Sequence, residues 1–203
     1  MRLRIRSLTE MRTLAEVIAG FLRAGDLLIL AGNLGAGKTT FTQSLGAGLG
    51  VGGRIASPTF VIAREHPSLH GGPALVHVDA YRLGAAEELS DLDLDSELEE
   101  SITVVEWGEG LAEQLSQDYL SLTITHSGGA DVEDFDDEDP ADDEYLVDEE
   151  RLVDLTGHGE RWAERLGALT AALAERLPGA EESGAAESGP ADLAAPEPPE
   201  EDG

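Results

Sequence analysis

A single α/β domain, built on a mostly parallel, twisted sheet flanked by helices, is the fold class this sequence predicts. Three observations predict it. Residues 74–78 and 102–105 are short, apolar, β-branched runs, the composition of strands covered on both faces. Stretches with helical spacing of apolar residues alternate with such runs along the chain. The 203 residues suffice for one core of this kind and not comfortably for two.

Taken in order, residues 8–24 place Leu14, Val17, Ile18, Phe21 and Leu22 at the spacing of an amphipathic helix, and Gly25 stops it. Residues 26–31 follow as a short apolar strand. A glycine-rich turn then leads into a helix over 40–49, which fades into Gly50, Gly52 and Gly53. After the strands at 74–78 and 102–105, residues 120–125 alternate in polarity, which predicts a strand nearer a sheet edge. Residues 1–127 are thus read as the core. Residues 128–150 are dominated by Asp and Glu and hold too little apolar surface to offset their ordering entropy, so they are read as a disordered acidic insertion. Residues 151–177 return to the domain, with a last strand at 151–155 and a last helix at 158–177 whose apolar face is Trp162, Leu166, Leu169 and Leu173. Residues 178–203, rich in Gly, Ala, Glu and Pro without periodicity, are read as a disordered tail.

The formal charge of −29 is unevenly spread, with −8 on residues 1–126 and −21 on residues 127–203. Such a surface repels phosphate backbones, so direct contact with nucleic acid is disfavoured unless a local basic patch or a partner supplies positive charge, and any RNA is expected to be held by another subunit. The absence of cysteine excludes disulfides and thiolate chemistry. The opening Met-Arg-Leu-Arg-Ile-Arg is followed by no apolar run of signal-peptide or membrane-span length, so a cytoplasmic protein without membrane association is expected.

The chemistry centres on Gly32-Asn33-Leu34-Gly35-Ala36-Gly37-Lys38-Thr39, which satisfies G-x-x-x-x-G-K-[ST] between an apolar strand and a helix. In such a P-loop, glycines let successive N–H groups turn inward toward phosphate oxygens, and the following helix adds the positive end of its dipole. A side chain at Gly35 or Gly37 is expected to crowd that nest. Lys38 reaches the β- and γ-phosphates, and the Thr39 hydroxyl is placed to ligand Mg2+. Lys38 is the only lysine in the chain, so a chance match by composition occurs in roughly one such sequence in several hundred. The only asparagine is Asn33, which excludes an Asn-Lys-x-Asp guanine signature and leaves ATP as the expected nucleotide.

A P-loop site also needs a carboxylate for the metal and a group to position water. Two apolar runs end in acids, at Asp79 and at Glu106, and ligands gather outside the carboxyl ends of strands in open α/β sheets. The alternative is that each acid caps a following turn. Ser57-Pro58-Thr59-Phe60 follows the P-loop helix and reads either as a loop in which Thr59 senses the γ-phosphate or as an ordinary Ser-Pro turn. Trp107 reads as a packing residue. His66, His70, His77, His126 and His158 show no metal-ligand spacing.

The ordered set Gly32 through Thr39 with Thr40-Phe41, then Ser57-Pro58-Thr59-Phe60, then His77-Val78-Asp79-Ala80-Tyr81-Arg82-Leu83, then Glu87-Glu88-Leu89, then Val105-Glu106-Trp107 resembles the TsaE (YjeE) family, spanning about half the chain. The resemblance implies an ATPase of tRNA threonylcarbamoyladenosine biosynthesis. ATP would sit on Gly32, Asn33, Leu34, Gly35, Ala36, Gly37, Lys38, Thr39 and Thr40, and Mg2+ on Thr39 and Glu106. Asp79 would lie near the γ-phosphate, Thr59 would belong to a switch loop, and Glu10 would be the N-terminal contact to the nucleotide. The same resemblance implies action with TsaB and TsaD, of which TsaD transfers the threonylcarbamoyl group to the adenosine beside the anticodon, so that tRNA is met only through the complex. Asn33 in place of a usual Asp, Ala80 in place of a usual Leu, and the acidic insertion and tail depart from the family pattern. Two other classes share the P-loop: a kinase acting on a small acceptor, which would need a lid with arginines where the central region offers Arg54, Arg64 and Arg82, and a nucleotide-sensing interaction module.

Overall fold

The computed structural model describes residues 1–56, 63–81, 98–127 and 150–179. The first strand, β1 (Arg2–Ile5), buries Leu3 and Ile5 and exposes Arg2 and Arg4, the alternation of a strand covered on one face. It is followed by α1 (Leu8–Ala19), β2 (Leu27–Ala31), α2 (Lys38–Leu49), β3 (Ala63–His66), β4 (Leu75–Asp79), β5 (Ile102–Glu106), a 3-10 turn at Ala112–Gln114, β6 (Tyr119–His126), β7 (Arg151–His158) and α3 (Glu160–Arg176). The described strands form one sheet in the order β1-β7-β6-β2-β5-β4-β3. Its centre, β6-β2-β5-β4, is parallel, and antiparallel pairings of β7 with β6, β1 with β7 and β3 with β4 extend it on both sides. Five of the seven described strands therefore point the same way, which is the mostly parallel α/β sheet the sequence predicts.

The three described helices contribute to one core. Met11, Leu14 and Ile18 of α1, Phe41 and Leu45 of α2, and Trp162, Leu169 and Leu173 of α3 pack with Leu28, Leu30, Val104, Leu122, Ile124 and Val153 from the sheet. Alternate residues of the central strands, Leu27, Ile29, Val76, Val78 and Val105, form a second, smaller cluster with Leu98, Ala80 and Ala112. The central strands are covered on both faces, which explains their unbroken apolar runs. Arg165 of α3 makes two hydrogen bonds, of 2.6 and 2.7 Å, to the buried Asp26 carboxylate just before β2 and lies over the Trp162 ring, fixing α3 to the entrance of the central strand.

Several expectations are corrected. Helix α1 ends at Ala19 rather than at residue 24, because the chain tightens into turns closed by Phe21 N–H on Ile18 O and Leu22 N–H on Ala19 O; Leu22 stays buried, so the apolar spacing outlasts the helix. Strand β6 is third from the sheet edge, and its alternation reflects one fully covered face rather than an edge position. Strand β7 runs on to His158 and α3 begins at Glu160, so the last strand is longer and the last helix starts later than expected. Most of the acidic insertion and of the tail lies outside the described residues. Glu150 belongs to the domain: its carbonyl accepts from Ser127 N–H at 3.0 Å and its carboxylate from Arg4 at 2.9 Å. Among the described residues no helix is long and apolar enough to cross a membrane.

Candidate functional site

Burial on both faces forces β2 into the middle of the sheet, between β6 and β5, and the turn that leaves it emerges at the carboxyl end of the parallel strands. Gly32 starts this turn at φ 134°, with the Ile124 carbonyl oxygen where a Cβ would stand, so no other residue fits there. Gly35 and Gly37 also have positive φ, 75° and 106°. Gly35 has open space and the nearest atoms to a Cβ at Gly37 are 3.9 Å away, so the backbone conformation demands glycine there and the tight packing lies at Gly32. Arg151 of β7 donates from Nε to Ala36 O at 3.1 Å and so ties the loop to the far half of the domain. Asn33 and Leu34 are exposed at the tip, Leu34 by 71%, in keeping with the outward position expected of Asn33.

The loop gathers Lys38 inward. Its Nζ donates to Gly32 O at 2.7 Å and Asn33 O at 2.9 Å and lies 3.5 Å from the centre of the Trp107 ring. Burial lowers its pKa to about 8 against the opposing attraction of Glu106 and Asp79. Trp107 is thus a face for the P-loop ammonium as well as a packing residue. It holds φ 60°, a conformation rare for a bulky residue, while its N–H donates to Leu30 O at 2.9 Å and its ring meets Tyr81 at 5.0 Å.

Glu106, 2% exposed at the end of β5, collects donors from three side chains. Thr39 Oγ1 donates to Oε2 at 2.9 Å, Thr42 Oγ1 lies 3.2 Å from Oε1, and His77 Nε2 is 2.8 Å from Oε1. The β4–β5 register places Asp79 directly opposite Glu106. The turn-capping reading of the two acids therefore divides. Asp79 Oδ1 accepts from Tyr81 N–H at 3.0 Å and does cap the following turn, whereas the Glu106 carboxylate faces the P-loop helix. Thr42 and His77 were not assigned to this site by the sequence reading. The available signals were the one-turn spacing of Thr39 and Thr42, and the period-2 spacing that puts His77 and Asp79 on one face of β4.

The remaining sequence-predicted residues are placed as follows. Glu10 helps to cap the start of α1: its N–H donates to Ser7 Oγ at 3.2 Å and its carboxylate accepts from Arg6 N–H, one residue before the N-cap, at 2.6 Å. Thr40 lines a cleft between α1 and α2 together with Leu8, Arg12, Glu16, Gln43 and Ser44, and Glu10 is not among the residues of that wall. Ala80 is buried in the smaller core and donates its N–H to Glu106 O at 2.9 Å. Thr59, with the rest of its loop, and Arg82, Glu87, Glu88 and Leu89 lie outside the described residues. Among the described residues no group of three or more His, Cys, Asp or Glu side chains is placed to hold a metal; a magnesium site in a P-loop needs fewer protein ligands, because phosphates and waters complete it.

Comparison with known proteins adds a family. Residues 5–133 match the model for "Threonylcarbamoyl adenosine biosynthesis protein TsaE". The chain is 56% identical over 154 residues to the tRNA threonylcarbamoyladenosine biosynthesis protein TsaE of Streptomyces coelicolor, covering 75% of this chain and 94% of that one. It is 39% identical over 125 residues to the protein of the same name from Bacillus subtilis, covering 61% and 77%. The crystal structure of Bacillus subtilis YdiB superposes with a TM-score of 0.60 at 30% identity, over 84% of this chain and 94% of that one.

Proposed function

The chain belongs to the TsaE family, and from that membership we propose that it is a cytoplasmic, Mg2+-dependent ATPase serving threonylcarbamoylation of the adenosine beside the anticodon of tRNA. In this reading it works with TsaB and TsaD. Hydrolysis by this chain lets their complex turn over, and TsaD performs the transfer. The names of the relatives support the pathway, and one observation supports the chemistry: the 2.9 Å contact of Thr39 with Glu106, beside Lys38 and opposite Asp79 in the sheet.

The loop amides and the first turn of α2 supply N–H donors for the phosphates, and the helix dipole adds to them. Lys38 exchanges two loop carbonyls for β- and γ-phosphate oxygens, and the triphosphate restores the full charge that burial weakens. The Thr39 hydroxyl and the Glu106 carboxylate are hard oxygen donors on adjacent elements and fit Mg2+, which keeps most of its own waters. The ion would neutralise charge developing between the β- and γ-phosphates. Asp79 is the residue we assign to orienting the attacking water, with Thr59 as the γ-phosphate sensor. The adenosine end extends past Thr40 into the α1–α2 cleft, where Arg12, Glu16 and Gln43 offer polar contacts. Glu10 joins it only by giving up its capping contact with Arg6 N–H. With a formal charge of −29, the chain leaves tRNA contact to its partners.

The deciding assay measures phosphate release by the purified chain alone and with TsaB and TsaD. Slow release that rises only with both partners is expected, and Asp79→Ala should keep most nucleotide affinity while losing turnover. No stimulation, or transfer of phosphate to a small acceptor without partners, would contradict the proposal.

A further inference from the structure

Glu106 is held from behind as well as in front. Residues 77 and 79 share one face of β4, and β5 lies beside it in a register that pairs His77 with Val104 and Asp79 with Glu106. The His77 imidazole therefore sits one diagonal step from the Glu106 carboxylate, with Nε2 2.8 Å from Oε1. With the carboxylate oxygen as acceptor of this contact, the hydrogen is on Nε2. The two side chains are 1% and 2% exposed. His77 Nδ1 is buried and has no hydrogen-bond partner among the described residues. A leucine would fill the same space without an orphaned nitrogen, so packing does not account for a histidine here; the bond to Glu106 does.

We propose that His77, with Thr42 as its helper, is a positioning residue that fixes the Glu106 carboxylate by Oε1 so that Oε2 stays turned toward Thr39 and a magnesium ion. The inference rests on the metal role proposed for Thr39 and Glu106. Partners that orient a ligating carboxylate influence metal affinity strongly although they never touch the ion. Thr42 Oγ1 lies 3.2 Å from the same oxygen and 3.0 Å from Lys38 O and shares its single hydrogen between these two acceptors, so it supports the carboxylate from the P-loop helix less strongly than His77 does from β4.

The test is calorimetric titration of ATP into the full chain at a series of Mg2+ concentrations and in EDTA. His77→Leu removes the donor at similar volume, whereas His77→Gln keeps an N–H at similar reach. The expected result is that H77L needs about 10- to 100-fold more Mg2+ than wild type for half of the metal-dependent gain in affinity, the range seen when outer-shell partners are lost. Its affinity in EDTA should be unchanged, and H77Q should restore the wild-type Mg2+ requirement. An unchanged requirement in H77L, equal losses with and without metal, or an H77Q variant as impaired as H77L would overturn the proposal. Should H77L not fold, Thr42→Val against Thr42→Ser decides: a raised Mg2+ requirement in T42V alone supports the proposal, and equal requirements overturn it. If wild type binds ATP with no dependence on Mg2+, the metal reading itself fails and takes this inference with it.

Discussion

At the scale of single residues, the phosphate loop separates two reasons for being glycine. Gly32 is fixed by a neighbour, since a Cβ would stand on the Ile124 carbonyl, while Gly35 is fixed only by its φ of 75° in open space. Gly35→Ala should therefore cost about 1–2 kcal/mol, the penalty of a left-handed L-residue. Gly32→Ala should cost clearly more, because β6 has to move as well. Urea unfolding of the two variants checks the order, and equal losses would show that the loop yields at both places. The motif residues themselves were legible in the sequence, because a phosphate nest requires glycine, lysine and threonine at fixed spacing. The partners of Glu106 were less legible. His77 and Thr42 reach it through strand register and helix pitch, and the register of β4 against β5 pairs residues 27 positions apart that periodicity does not connect. Trp107 looked like core, and its position over Lys38 follows from a positive φ that no composition rule foretells.

At the scale of elements, α3 is anchored by charge as well as by its apolar face. Asp26 is almost fully buried and receives both terminal nitrogens of Arg165, whose side chain is 12% exposed. Arg165→Met keeps much of the packing on Trp162 but strands a buried carboxylate. The expected loss is about 3 kcal/mol, at the low end for breaking a buried pair because Arg23 N–H still donates to Asp26 at 2.8 Å. A change in unfolding free energy near zero would show that the pair serves orientation only. The buried central strands and the amphipathic helices were legible because their residues carry one period each. Strands β1 and β3 were not. Arg2 to Ile5 is too short to show more than two alternations, and Ala63 to His66 is a polar edge strand, AREH, whose only fully buried side chain is His66. Both owe their conformation to a neighbour's unpaired edge rather than to their own composition.

At the scale of the whole molecule, the family match ends at residue 133 while the sheet does not. Strand β7 lies between β1 and β6, and α3 contributes Trp162, Leu169 and Leu173 to the shared core. A chain truncated after residue 133 should therefore lose β1 from the sheet and fail to give a cooperative melt by circular dichroism. Removal of residues 180–203 should leave the melting temperature unchanged, because the described core ends at Leu177. Folding of the shorter fragment would mean that the two halves of the sheet are independent. The return of the chain after the acidic segment also matters to the site, since Arg151 reaches the loop at Ala36 O from β7. That loop is proposed to hold a triphosphate with inward main-chain amides and one buried ammonium. Titration calorimetry of Mg-ATP into the wild-type chain and into Lys38→Ala tests it most directly. Saturable binding at one site per chain, abolished by the substitution, is the expected result; absence of heat in the wild type, or equal affinity in the two proteins, would contradict it.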